Sequence, residues 1–170
     1  MIAVAAAAPG PATVEDTVRL PTRAHVEAPA QRLGVAIGRL EIPAISLNEV
    51  IREGVDLSVI DRGVAHWAGT ATAGGFGNMV LAGHRTTKTA PFHDLDRLRP
   101  GDSITVTGFD RRVAEYAVTE TVVVSPRDMW IVEQTDVPMV TLFACHPKRS
   151  ARQRIVVRAE LVDVPVVHFP

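Results

Sequence analysis

Cys145 is the only cysteine among the 170 residues of this chain, so it cannot close an internal disulfide. Two readings stand: a small buried hydrophobe, or a nucleophile. It lies in Thr141-Leu-Phe-Ala-Cys-His-Pro147, where an apolar stretch meets a proline that cannot continue a central strand. A thiol near its free pKa is only a few per cent thiolate at neutral pH. A nucleophilic cysteine therefore needs an imidazole or another positive charge beside it. Of the six histidines, His84 is the best placed, because it follows the apolar run Asn78–Ala82 through Gly83 at a strand end. His146 adjoins Cys145, but neighbours on an extended chain point to opposite sides, which makes it a poor base for that thiol. His25 falls in the N-terminal linker, His168 in the tail, and His66 and His93 in loops.

Arg154 emerges from period-two counting. Ile155, Val157, Ala159 and Leu161 make one apolar face of a strand, and Arg154, Val156, Arg158 and Glu160 make the other. Arg154 thus points away from the core at the start of the strand that returns from the cysteine loop. A guanidinium there can serve an oxyanion or a substrate carbonyl. The competing reading is a solvated surface arginine, since Lys148, Arg149, Arg152 and Arg158 share the region.

The elements that must hold these groups are short strands between turn signals. Val35–Ile42 and Ile45–Ile51 are separated by Pro43. Asp56–Asp61 reads as a short helix capped by Asp56 and stopped by Gly63. Residues 71–77 form a Gly-rich loop into Asn78–Ala82, and Pro91–Leu98 fits a helical turn. Ser103–Thr107, Val113–Val124, Met139–Ala144 and Ile155–Val162 bring the tally to about eight strands. No βαβ alternation is visible, so the sequence predicts an all-β, closed or nearly closed barrel with short helical inserts rather than a doubly wound sheet.

Length and an apolar fraction of 46% fit one soluble domain with a single core. The net charge of −1 supplies no global attraction to nucleic acid or to anionic membrane. Residues 1–32 read as a flexible N-terminal segment, 33–165 as the folded domain and 166–170 as a tail. The apolar start Met1–Ala8 falls far short of the about 20 residues that span a bilayer. It reads either as a disordered start or as the remnant of a membrane anchor followed by a Pro-rich linker.

In combination, Leu81-Ala-Gly-His-Arg-Thr-Thr87, Thr141-Leu-Phe-Ala-Cys-His-Pro147 and Arg154-Ile-Val-Val157 resemble the sortase family, in that order and spacing. The likeness runs from about Leu40 to Leu161. It takes in Leu40-Glu-Ile-Pro-Ala-Ile-Ser-Leu47, the Gly63-Val-Ala-His66 turn and Leu95-Asp-Arg-Leu-Arg-Pro-Gly-Asp102. The Gly-His-Arg-Thr-Thr run and the Cys-His-Pro ending are most similar to class E sortases of high-GC Gram-positive bacteria.

The resemblance implies an eight-stranded barrel and a cysteine transpeptidase. Cys145 would attack the Thr carbonyl of a C-terminal sorting signal of LPxTG type, LAxTG for class E. His84 would serve the leaving and entering amines, and Arg154 would hold substrate and oxyanion. Thr141, Ala144, His146 and Arg85 are the implied substrate-binding residues. The implied partners are surface or pilin proteins carrying the signal, with a peptidoglycan precursor or a lysine amine as acceptor. The implied location is the outer face of the plasma membrane or the cell wall. No cofactor and no metal are expected, and no nucleic-acid partner.

Two positions depart from the family pattern: Ala144 stands where Thr usually precedes the cysteine, and Lys88 where class E often has an aromatic residue. A cysteine hydrolase that passes the thioester to water remains an alternative, as does a barrel that binds sorting signals without chemistry.

Overall fold

The structure, a computed structural model, describes residues 33–163. The predicted N-terminal segment and the C-terminal tail lie outside the described residues. Eight strands close into a barrel: β1 Ala36–Ile42, β2 Leu47–Glu53, β3 Val64–His66, β4 Asn78–Ala82, β5 Ser103–Gly108, β6 Val113–Val124, β7 Met139–His146 and β8 Gln153–Asp163. Their order around the barrel is β1-β2-β3-β4-β7-β8-β6-β5. The all-β barrel expected from the sequence is therefore the observed fold.

Strand alternation explains which side chains fill it. In β7, Val140, Leu142 and Ala144 enter the central core, and in β8 Ile155, Val157 and Ala159 do the same. Leu40 and Ile42 of β1 and Met79 and Leu81 of β4 complete the wall from the other side. Pro43 then withdraws a backbone donor and ends β1, and a 3₁₀ turn over Pro43–Ile45 brings the chain back through Ser46 at φ 53°. The strand expected from Ile45 accordingly begins two residues later, at Leu47.

Two features depart from the sequence reading. Residues 64–66, read there as a turn, form β3, with all three residues buried. The barrel also contains two parallel pairs, β2 with β3 and β4 with β7. The first is a crossover through a one-turn helix, α1, Leu57–Ile60. A strand of three residues is too short to display a period, so neither β3 nor the crossover that needs it was visible. Asp56 stands at the N-cap position of α1 but makes no side-chain cap bond.

The helix covers the outer surface of the barrel. Val59 of α1, Ala65 of β3 and Ala82 of β4 form a second small apolar cluster, against which Val55, Ile60 and Phe143 pack. That cluster explains why β4 is buried over its whole length. At the other end of β4, Asn78 donates to the carbonyls of Ile131 and Glu133, each at 3.0 Å, and so ties the loop between β6 and β7 to the barrel.

Candidate active site

The register of the central strands decides which of the candidate side chains meet. Cys145 of β7 pairs directly with Arg154 of β8 in an antiparallel ladder. Residues directly opposite in such a ladder project to the same face, with Cβ atoms about 4.5–5.5 Å apart. Core residues Ala144 and Ile155 lie on the inner face, so Cys145 and Arg154 are on the outer one.

His84 comes to the same face from β4. Ala82 is aligned with Phe143 in the parallel pair, and both belong to the outer cluster. Two positions further along each chain stand His84 and Cys145. The Gly83 N–H still donates to the Phe143 carbonyl at 3.3 Å, so the strands remain side by side as they approach the pair. The His84 carbonyl in turn accepts from Phe92 N–H at 3.1 Å. Gly83 is required by space: a Cβ there would lie 2.8 Å from Phe92 Cδ2 and 3.0 Å from Pro91 Cγ. Gly83→Ala should therefore cost about 1–3 kcal/mol of stability and displace His84. Denaturant unfolding alongside turnover checks this, and a variant with wild-type values in both would refute the packing argument.

Cys145 is half-buried and its sulfur is free. Arg154 is tethered by one edge of its fork: Nη1 donates to the carbonyls of Ala151 at 3.0 Å and Gln153 at 2.9 Å. Those bonds close the loop on itself and fix the guanidinium plane. Further along the outer face of β8, the Arg158 guanidinium stacks 5.5 Å above the ring of the part-exposed Trp130.

The remaining candidates are placed less favourably for touching a peptide. Thr141 is fully buried, and its hydroxyl donates to Asn78 Oδ1 at 2.8 Å, which makes it part of the staple on the β6–β7 loop. Ala144 points into the barrel core, so the hydroxyl that a Thr would bring there concerns packing rather than a substrate contact. Arg85 is 2% exposed, with Nε donating to the His93 carbonyl at 2.7 Å and Nη2 2.9 Å from Asp96. Each of these three is thus engaged by the protein itself, and a substrate contact for them stays a proposal. His146 is half-buried, and its Nδ1 is enclosed without a hydrogen-bond partner.

The two histidines read from sequence as loop residues are also accounted for, His66 at the end of β3. His66 is buried, held by Glu53 at 2.9 Å through Nδ1 and facing the Ala71 carbonyl and the Thr70 hydroxyl through Nε2. His93 sits at the surface, 2.8 Å from Asp94.

Sequence reasoning missed Asp61, the residue that closes α1. Its Oδ1 is 2.8 Å from His84 Nε2, and its Oδ2 is 3.5 Å from Lys88 Nζ. The hydrogen bond from His84 holds the Asp61 carboxyl below its usual range, with the Lys88 charge adding to the effect. A depressed folded value means that this contribution to stability is present above the ordinary carboxylate value of 3.8 and is lost as pH falls through the lowered one. The one cue in the sequence was an acid at a helix C-terminus, where the carbonyl ends disfavour negative charge.

A cavity of about 370 Å³ opens elsewhere, between Ile37, Ile51, Met79, Val106 and Phe109, toward the opposite end of β4 from His84. Among the described residues, no cluster of His, Cys, Asp and Glu is arranged to hold a metal ion.

Known proteins share this arrangement of strands. Sortase SrtE1 of Streptomyces coelicolor is 30% identical over 145 residues, which cover 76% of this chain and 41% of that protein. The chain thus matches well under half the length of this relative. The crystal structure of sortase E1 from Streptomyces coelicolor with a tripeptide in the active site aligns with a TM-score of 0.71 at 28% identity, covering 77% of this chain and 90% of that one. Sortase C of Clostridium perfringens, with a C-terminal cell wall sorting motif, aligns with a TM-score of 0.72 at 28% identity, covering 79% and 74%. The sortase domain family itself matches residues 40–162, from within β1 to within β8, and with that span the chain belongs to the sortase family.

Proposed function

We propose that the protein is a cysteine transpeptidase that cleaves a sorting signal of LPxTG or LAxTG type after Thr and passes the acyl group to an amine. The observation that carries this reading is the cross-strand pairing of Cys145 with Arg154 on the outer face, with His84 two residues past the end of the neighbouring β4. Membership of the sortase family supports it, as do the peptide-bound relatives.

The chemistry balances with these three groups. The Cys145 proton passes to His84, and the thiolate attacks the Thr carbonyl carbon. Arg154 neutralises the developing oxyanion. The C–N bond then breaks as the imidazolium gives its proton to the departing Gly amine, leaving a thioester and a neutral ring. An incoming amine attacks, surrenders a proton to the ring, and displaces the thiolate. No external oxidant or reductant is required.

The substrates in this reading are surface or pilin proteins bearing the signal, with a peptidoglycan precursor or a lysine amine as acceptor. Sortases are cell-surface enzymes of Gram-positive bacteria, which supports action at the outer face of the membrane or in the wall. Among the described residues no helix is long and apolar enough to cross a membrane.

Incubation with a signal peptide, with and without a large excess of a small amine, tests the reading. The amide product should dominate when amine is present, as resolved by mass spectrometry. Exclusive hydrolysis despite the amine would replace the transferase by a hydrolase. Peptide binding without any product, unchanged in Cys145→Ala, would leave only a binding module.

A further inference from the structure

An imidazole has two nitrogens, and the neighbours of His84 distinguish them. Nε2 is 2.8 Å from Asp61 Oδ1. Among the described residues, Nδ1 has no hydrogen-bond partner. An ionised carboxylate can only accept hydrogen bonds, so Nε2 must carry a hydrogen whether the ring is charged or neutral. The lone pair of the neutral ring is therefore on Nδ1.

Lys88 completes the arrangement. Its ammonium lies 3.5 Å from Asp61 Oδ2, so the carboxylate is held at both oxygens, one by the ring and one by the lysine. Lys88 is itself aimed by an unusual backbone, with φ at 55°. The residue that departs from the class E pattern thus has a structural partner, 27 positions away in sequence (88 − 61). Asp61 closes α1, and α1 is fixed to the barrel by Val59 and Ile60 in the outer cluster. The carboxylate is consequently anchored to the same packing that orders Ala82 and Phe143, two residues before His84 and Cys145.

We propose that Asp61 is a positioning residue that fixes the tautomer and tilt of His84, so that Nδ1 is the nitrogen that exchanges protons with the leaving and entering amines. The inference rests on His84 being the proton carrier of the proposed transpeptidation. In the forward half, Nδ1–H is transferred to the departing nitrogen and the ring is left neutral with hydrogen on Nε2. In the second half, Nδ1 takes one proton from the attacking amine, which restores the imidazolium. Asp61 remains a carboxylate throughout.

The test combines ring spectroscopy with kinetics on the full chain. In ¹⁵N-labelled wild type, long-range ¹H–¹⁵N correlations of neutral His84 should show a single form protonated at Nε2. Asp61→Ala should introduce the second tautomer and reduce kcat about tenfold, with KM little changed, as expected for a misaligned group. Asp61→Asn keeps an acceptor oxygen at the same place and should recover most of that loss. Because Asp61 is partly exposed, both variants should unfold at temperatures close to that of the wild type. A ring in Asp61→Ala that keeps the single wild-type form overturns the inference, whatever happens to turnover. If instead the ring responds as expected but His84→Ala transfers acyl groups at the wild-type rate, the positioning stands and the transpeptidase mechanism fails.

Discussion

Cys145→Ala should abolish acyl transfer, by about 10⁴-fold or more, while the barrel melts as the wild type does. The size of the effect follows from the chemistry: without a sulfur there is no thioester, and the residual groups can only polarise the peptide bond for water. The indifference of the fold follows from placement. Cys145 is half-buried on the outer face, near the end of β7, and the core at that level is filled by Ala144 and Ile155. Intact-mass analysis provides a second readout, since the wild type should trap an adduct of signal peptide minus its terminal fragment and the variant none. Turnover in Cys145→Ala within tenfold of wild type would remove the nucleophile from the mechanism.

Arg154→Lys carries the second large expectation, a loss of about 10²–10³-fold in kcat, with Arg154→Ala at least as damaging. A lysine preserves the charge, so a purely Coulombic role would be largely rescued. The geometry argues against rescue. Nη1 is occupied by the Ala151 and Gln153 carbonyls, which lock the plane and leave Nε and Nη2 as the edge available to a substrate oxygen. A flexible ammonium satisfies those carbonyls or the oxyanion, but lacks the planar fork that serves both. Steady-state kinetics with a signal peptide, accompanied by unfolding curves, decides the matter. Full activity in Arg154→Lys would exclude the oxyanion role.

The parts of this molecule that could be read from sequence are those with a period. β8 announced its inward Ile155, Val157 and Ala159 and its outward Arg154 and Arg158, and the structure keeps both sets on those faces. β4 and β7 were visible as apolar runs. What escaped was pairing between remote segments. β3 is three residues long and gains its identity from Ile51 and Ala82, its neighbours on either side. Arg85 follows His84 in sequence, and nothing local shows that it is buried. Only tertiary folding brings Asp96 to it and buries the guanidinium while the carboxylate stays exposed. Nothing local to Thr141 shows that its hydroxyl bonds to Asn78, 63 residues earlier. Asp61 had no local pattern that tied it to His84.

The hairpin between β7 and β8 has a consequence for how such a molecule can diversify. The ladder fixes the sulfur and the guanidinium opposite each other through pairs that continue to His146 and Gln153. A shift of one residue in either strand would turn one of the two inward, so the rungs tolerate no insertion. The connecting residues 147–152 carry no rung and include the mutually unlike Pro147, Lys148, Arg149 and Ser150. Exchanging that connection leaves the Cys145–Arg154 rung in place, but the Ala151 carbonyl that holds the Arg154 guanidinium lies within it and must be kept. Residues 148–150 can therefore vary more freely than Ala151, whose carbonyl couples the turn to the guanidinium.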